Sequence, residues 1–354
     1  MSRTATAIRC AGCGAEAVPS DPFRCPRVGT DDIDHVLTRW LDADAVDFPQ
    51  GEEADPFVRY RTLFHAWHLA RANGISDADY VDMVERLDKA VAEVDGHGFA
   101  VTPFSAAEEL SKRLGLRSGR VWVKDETGNV SGSHKARHLM GVALLLRVMG
   151  RVGLVREDDR PLAIASCGNA ALAAAVVARA ADRRLEVFVP TWAEASIVDR
   201  LERLGADVVT CERRAGVAGD PTFHALEEAV AGGAIPFTCQ GTMNGLTIEG
   251  GETLGYEIVS DMVRLGISAD RLFVQVGGGA LASSCIRAFD EAVRLGVPVT
   301  MPRIHAVQTA GGSPLKRAYD RVVERILGRL ERESGVRPEG DGEPERADLL
   351  LRHR

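Results

Sequence analysis

Apolar residues follow two successive rhythms along this chain. From about Asp31 to Val94 they recur at three- and four-residue steps, so Phe57–Asn73 and Asp77–Val94 each read as amphipathic helices with Asn73-Gly74 as the break. From Val121 onward, short apolar runs of strand length take over. They fall at Val121–Val123, Leu162–Ala165, Leu185–Val189, Asp207–Thr210, Ile235–Thr238, Leu272–Val276 and Ile304–Val307. Helical patterns of ten or more residues separate most of them. Such alternation predicts an α/β fold, a mostly parallel sheet with helices on both faces. The first 30 residues, rich in Cys, Pro and Gly, carry no long periodic element. At the other end, Leu315–Glu333 reads as one charged amphipathic helix. Gly335–Glu345 has the Pro, Gly and acid content of a solvated linker, and a short apolar stretch, Ala347–Leu351, follows it. No internal repeat or heptad series is present.

Composition narrows the class without naming it. At 354 residues the chain is long enough for two lobes, since single cores seldom grow past roughly 250–300 residues. The 43 basic against 51 acidic residues leave a net charge of −8, which argues against nucleic acid or an anionic membrane as the main partner. The start, MSRTATAIRCAGCG, has no apolar core of a secretory signal, and the most apolar stretches, Ala170–Ala180 and Val142–Val148, are too short to span a bilayer. Seven cysteines are odd in number, and Cys167, Cys211, Cys239 and Cys285 sit in apolar or motif segments. Buried free thiols in a reducing cytoplasm are the expectation.

Three motifs carry candidate chemistry. Ser131-Gly132-Ser133-His134-Lys135-Ala136-Arg137 follows the first apolar run and opens the apolar helix His138–Val148. An amine there meets apolar surroundings and the positive end of a helix dipole. Both disfavour the ammonium and leave free amine for a Schiff base. Ala165-Ser166-Cys167-Gly168-Asn169-Ala170 ends a strand in a Ser/Gly/Asn turn before a helix of small residues. Its backbone N–H groups suit a carboxylate or ring oxygen, although taken alone a helix cap explains Asn169 as well. Gln275-Val276-Gly277-Gly278-Gly279-Ala280-Leu281 runs from strand to helix through three glycines. Such a turn lets an anion approach the backbone. It lacks the spacing of a dinucleotide fingerprint and has no P-loop lysine, so a phosphate monoester fits better than NAD or ATP.

The order and context of the trio resemble fold-type II pyridoxal-phosphate (PLP) enzymes, the tryptophan synthase β-like superfamily. The likeness runs from about Val101 to Ala318. Supporting pieces are Val121-Trp122-Val123-Lys124-Asp125-Glu126, Ile248-Glu249-Gly250-Gly251-Glu252-Thr253, and His305-Ala306-Val307-Gln308 through Gly312-Ser313-Pro314-Leu315. His134-Lys135 looks more like tryptophan synthase β chains, and Ser166-Cys167-Gly168-Asn169 more like threonine synthases. The resemblance implies pyridoxal 5′-phosphate as cofactor, with Lys135 as its Schiff-base residue and proton-transfer base. It implies that Asn169 touches the cofactor's O3′, and that Gly277, Gly278, Gly279, Ala280 and Leu281 cradle the phosphate. Ser166 and Gly168 would seat the substrate carboxylate, with Ser133 near phosphate or substrate. Segments 124–129 and 240–245 would shape the side-chain pocket.

Two lobes of mostly parallel sheet follow from the same resemblance. Residues 1–95 form an N-terminal cysteine-containing and helical extension, 96–137 with 258–333 a larger cofactor lobe, 138–257 a smaller substrate lobe, and 334–354 a linker and tail. The implied activity is α-proton abstraction from a small amino acid with β/γ-elimination, deamination or replacement, as in a threonine synthase-like lyase. The implied assembly is a homodimer. Family members continue past the point where this chain stops, and the residue facing the pyridine nitrogen lies in that later part. Either a second polypeptide completes the site, or the chain is a fragment, or catalysis has been lost, with Ser313 as a stand-in for the missing partner. Two other readings stay open: a subunit inactive until a partner chain completes it, and a non-catalytic phosphate-metabolite-binding protein using the glycines alone. Cys10-x-x-Cys13 with Cys25 resembles the zinc-ribbon-like start of some threonine synthases. Structural zinc takes four ligands, the fourth cysteine is absent, and His35 is distant in sequence. A metal-free remnant is therefore expected.

Overall fold

A computed structural model describes residues 5–30, 34–117, 119–155 and 160–334. The expected linker Gly335–Glu345 and the stretch Ala347–Leu351 lie outside the described residues.

The chain opens with an antiparallel ribbon of β1 (Thr6–Cys10) and β2 (Leu37–Leu41), Thr6 opposite Leu41 and Cys10 opposite Leu37. Both strands alternate buried and half-buried residues, so one face of the ribbon lies on the core. The helices α1 (Pro56–Arg59), α2 (His65–Ala72) and α3 (Asp77–Asp95) follow. The single helix expected over Phe57–Asn73 is corrected here: a 3-10 turn at Arg61–Leu63 and an extended Phe64 divide it. A tertiary partner explains the break. The His65 N–H, which a continuous helix would give to a carbonyl, instead donates to the Glu249 carboxylate at 2.6 Å. In α3, Tyr80, Val84, Leu87 and Val91 form the buried stripe, Ser76 caps the start, and Gly96 ends the helix at φ +93°.

β3 (Phe104–Ala106), α4 (Glu108–Arg113) and β4 (Trp122–Lys124) come next, with β3 and β4 antiparallel. The first apolar run therefore does not join the parallel sheet. Its residues alternate half-buried and exposed, whereas an interior parallel strand is covered on both faces. The 3-10 turn Val130–Gly132 leads into α5 (Lys135–Arg151).

Strand and helix then alternate as expected: β5 (Leu162–Ala165), α6 (Asn169–Ala180), β6 (Leu185–Pro190), α7 (Ala195–Arg203), β7 (Asp207–Cys211), α8 (Pro221–Ala231) and β8 (Ile235–Pro236). The four strands form a parallel sheet in the order β7-β6-β5-β8. β8 is shorter than the run Ile235–Thr238, because the Asn244 side chain takes the Pro236 carbonyl at 2.7 Å. The remaining elements are α9 (Thr247–Leu265), β9 (Arg271–Gln275), α10 (Ala280–Arg294), β10 (Arg303–Val307) and α11 (Pro314–Ser334). β9 and β10 pair in parallel. Among the described residues no helix is long and apolar enough to cross a membrane.

α9 is the axle of this arrangement. Thr247 to Val259 are all buried, and α5 and α10 pack along it. The approach is close because glycines line it. A Cβ on Gly141 of α5 would lie 2.8 Å from the Gly250 Cα, and one on Gly250 would strike the Arg137 carbonyl oxygen. On the other side, a Cβ on Gly255 would strike the Ala288 methyl group. Backbone cannot step aside as a side chain can, so overpacking here should cost about 1–3 kcal/mol or more. Gly250→Ala is accordingly expected to lower the denaturant midpoint with an unchanged slope. A midpoint equal to wild type would show that the helices part without cost.

Candidate functional site

Lys135 is the first residue of α5 and is half-buried. The chain reaches it through two left-handed residues, Ser131 at φ +57° and Gly132 at φ +72°. That conformation costs a non-glycine residue on the order of 1–2 kcal/mol and concentrates where ligands bind. Neighbours hold it in place: the Ser131 N–H donates to the Asp95 carboxylate at 2.8 Å, and the Gly132 N–H to the Asn129 carbonyl at 2.7 Å. Ser133 is buried, and its hydroxyl accepts the Lys135 N–H at 3.4 Å.

Two residues past the lysine, Arg137 is fully buried. Its Nε donates to Glu126 at 2.8 Å, Nη1 to Glu257 at 2.5 Å and to Thr253 at 3.1 Å, and Nη2 to Thr102 at 3.2 Å. Lys124 adds a second cation against Glu257 at 2.6 Å. Two cations therefore face two carboxylates. Burial opposes the charged form of Glu257, yet Arg137 and Lys124 together hold its carboxyl below the usual range. Lys124 is thus tied into the core rather than turned toward a substrate pocket.

The glycine turn starts α10. Gly277, Gly278 and Gly279 have open space where a Cβ would stand, Gly279 lies at φ +95°, and no side chain caps the helix. The first N–H groups of this 15-residue helix are left for another acceptor. Gln308, just past β10, braces the turn by donating to the Val276 carbonyl at 3.1 Å.

The turn and the lysine meet at α9. Gly250 lies against the carbonyls of Arg137 and His138, and Gly251 against the His138 ring and the Ser284 hydroxyl. Ser284 also donates to the Ile248 carbonyl at 2.8 Å. Lys135 precedes Arg137 and His138 by two and three positions, and Ala280 precedes Ser284 by four. At about 1.5 Å rise per residue, α5 and α10 both begin within about one turn of the same point on α9. The second motif adjoins the first, since α6 packs against the 3-10 turn Val130–Gly132. In it Gly168 is the cap residue and donates its N–H to the Ser166 hydroxyl at 3.4 Å. Asn169 is the first helical residue, exposed, and makes no capping bond, so capping does not account for it.

Around Lys135 several polar atoms are buried without a hydrogen-bond partner: Ser131 Oγ, His134 Nε2, His138 Nε2 and Gln240 Oε1. A native interior rarely leaves such atoms bare, and a ligand is one explanation. Burial, then the neighbouring His138, Lys135 and Arg137, push the His134 imidazole down to about 2, so it is uncharged at neutral pH. His138 donates through Nδ1 to the Thr247 carbonyl at 2.8 Å, which places its proton on that nitrogen, and burial pushes its pKa down to about 4. The Cys239 thiol touches the Lys135 carbonyl at 3.7 Å and is pushed by burial up to about 12, an inert packing group. All seven cysteines are free, but Cys167 and Cys211 are half-buried rather than buried as expected.

Sequence reasoning set Arg137 inside a motif without a role and missed its pairing with Glu126 and Glu257. The signal was present in the Lys124-Asp125-Glu126 run, an unusual concentration of charge beside an apolar strand. Ser131 gave no such signal.

Residues 97–347 match the family described as pyridoxal-phosphate dependent enzyme. The tryptophan synthase beta chain of Afipia carboxidovorans is 28% identical over 230 residues, 60% of this chain and 54% of that protein. The one from Mycobacterium bovis is 28% identical over 251 residues, 66% of this chain and 56% of that protein. The chain thus spans just over half the length of these curated relatives. Among solved structures, maize serine racemase superposes with a TM-score of 0.47 at 17% identity, covering 68% of this chain and 65% of its own.

Two outcomes follow from the buried charges. Arg137→Leu leaves Glu257 and Glu126 without their main cation, and breaking a buried pair costs about 3–5 kcal/mol. A loss of that size in urea unfolding is expected, and a loss within about 0.5 kcal/mol, the range of ordinary surface changes, would refute the role. His138 binds a proton more readily when unfolded, near pH 6.5, than when folded, near 4. Its contribution is present above the unfolded value and lost as pH falls between the two. Relative to His138→Gln, wild-type stability should drop by about 1.4 kcal/mol per pH unit below about pH 6. A difference constant from pH 7 to pH 5 would show that this ring is not held neutral.

Proposed function

The chain belongs to the pyridoxal-phosphate dependent enzyme family, and on that premise we propose that it removes the α-proton of a small polar amino acid and completes an elimination, deamination or replacement at the β or γ carbon, as a threonine synthase-like lyase does. The observation that carries the proposal is the meeting of the Lys135 end of α5 and the glycine end of α10 at Gly250-Gly251. In this reading residues 96–137 and 258–333 form the cofactor lobe, and 138–257 the substrate lobe.

The residues fit pyridoxal 5′-phosphate by their chemistry. A glycine turn with open space, leading into an uncapped helix, suits a phosphate monoester. A lysine among buried polar atoms without partners suits a ring that brings polar groups of its own. When bound, the cofactor supplies a pyridine ring able to take up the electron pair left when Cα–H breaks. Lys135 would hold the cofactor and then move the proton at Cα. Gly277 to Leu281 would fix the phosphate, and Asn169, free of capping, would orient the ring through O3′. Ser166 and Gly168 would offer the turn that receives the substrate carboxylate. Ser133, bonded to the Lys135 backbone, would set where the amine begins. His134, uncharged, adds no competing cation beside the phosphate.

A second reading has its own observation. β9 and β10 carry α10 on one side, while Phe273 on β9 is 65% exposed and stacks on His305 at 4.5 Å. Val307 on β10 is 49% exposed. A sheet open in this way fits a chain whose site is completed by a second copy or another polypeptide.

The test is a Schiff-base absorbance measurement of the protein with pyridoxal 5′-phosphate, together with exchange of substrate α-protons into heavy water across a panel of amino acids and phosphohomoserine. Wild type should show the band and exchange with one substrate class. Lys135→Ala should lose the band, with exchange at least roughly 10³-fold slower. An identical spectrum in Lys135→Ala would refute the assignment. A band without exchange until a second polypeptide is supplied would favour the partner-dependent reading.

A further inference from the structure

We propose that Cys10, Cys13, Cys25 and His35 bind one structural zinc ion, which staples the β1–β2 ribbon at its Cys10–Leu37 end. The expectation of a metal-free remnant rested on a missing fourth cysteine and on the sequence distance of His35. Folding removes that distance. The Cys10 Sγ lies 3.6 Å from His35 Nδ1, the Cys13 Sγ lies 3.6 Å from the Cys25 Sγ, and all four ligand atoms lie within 4.8 Å of one another.

The two 3.6 Å separations match the edges of a tetrahedral ligand set. With zinc–sulfur at about 2.3 Å and zinc–nitrogen at about 2.0 Å, tetrahedral angles place two sulfurs about 3.8 Å apart and a sulfur and nitrogen about 3.5 Å apart. A disulfide would bring Cys13 and Cys25 to about 2.05 Å, far inside the observed spacing. The local backbone is built for ligation too. Cys10-x-x-Cys13 forms a tight turn in which the Gly14 N–H donates to the Cys10 carbonyl at 2.9 Å, with Gly14 at φ +71°. The Arg27 N–H points at the Cys25 sulfur at 3.4 Å, as expected where a thiolate needs a donor. Three cysteines and one histidine form a closed, four-ligand structural set, with no position left open for a reacting water.

Binding is balanced by proton release. Three S–H bonds break, three zinc–sulfur bonds form, His35 donates its neutral Nδ1 lone pair, and up to three protons pass to solvent. The consequence for the fold runs through β2. Cys10 ends β1 opposite Leu37, and His35 lies two residues before β2. Arg39, in the middle of β2, is buried among Glu249, Glu252 and Glu291. An ion at the ribbon's end therefore holds the strand that delivers Arg39 to α9 and α10.

The experiment uses the full chain without a histidine tag, purified under reducing conditions, incubated with zinc and dialysed. Elemental analysis should find about one zinc per chain. The cobalt-loaded protein should show the intense visible absorbance of a tetrahedral thiolate site. Cys25→Ser should lose the ion. Losing merely an outer hydrogen-bond partner of a ligand costs roughly 10–100-fold in affinity, so His35→Ala should yield zinc to a chelator at least about tenfold more readily, whereas His35→Cys retains it. The His35 pair keeps the test open if Cys25→Ser does not fold. Chelation should lower the thermal midpoint of wild type, and that of His35→Ala should fall at a lower chelator concentration. Zinc far below one per chain after loading, a Cys13–Cys25 disulfide in the reduced protein, or equal retention by His35→Ala and wild type would each overturn the proposal.

Discussion

A guanidinium with no exposure to water sits two residues from Lys135, and the placement of the candidate site rests on it. Arg137 can be buried only because Glu126, Glu257, Thr253 and Thr102 converge on it from the turn after β4, from α9 and from the segment before β3. Desolvating an ion costs several kcal/mol, and the pairing recovers this only when geometry and hydrogen bonds are complete. The first turn of α5 is therefore held in one position against both β4 and α9. A packing of apolar residues alone would tolerate a shift of α5 along α9. Charges bound at fixed angles do not, and the lysine inherits that precision.

The same logic governs the N-terminal ribbon. Arg39 is fully buried among Glu249, Glu252 and Glu291, with Tyr256 at 3.3 Å and Arg287 bonded to Glu252 at 2.8 Å. Two cations face three carboxyls. Burial, the larger effect, and the nearby Glu252 push Glu249 up to about 7. α9 thus receives one buried arginine from the extension and another from α5. The extension is part of the scaffold that orients α9, not an appendage beside it.

Elements whose cause is local were legible in the sequence. Leu162–Ala165 appears at the expected bounds because its apolar run is short, continuous and flanked by turns. α3 runs only one residue past its expected end, because its period, Ser76 cap and terminal Gly96 agree. The three motifs mark the turns where two helices start and a third begins. Features that depend on long-range partners stayed hidden. Nothing near Arg39 indicates a carboxylate 213 residues away. Nothing near Gly250 says that its missing side chain admits the Arg137 carbonyl. The break in Phe57–Asn73 likewise comes from Glu249, 184 residues on, taking the His65 N–H. Periodicity reports which face of a segment is buried, not what it is buried against.

The two arginine clusters bear on each other through the register of α9. Glu249 and Glu252 face Arg39, whereas Thr253 and Glu257 face Arg137, so the helix presents carboxylates alternately to its two neighbours. Sliding α9 by one residue, about 1.5 Å, or rotating it by the accompanying about 100°, would break both sets together. It would also drive the Gly250 and Gly251 positions away from Arg137, His138 and Ser284, replacing them with side chains that cannot fit. Each error alone costs several kcal/mol, on the scale of the whole stability of a domain. The register of α9 therefore fixes where the α5 and α10 N-termini stand relative to one another. The proposed ligand, bridging the lysine on one helix and the glycine turn on the other, would depend on that register.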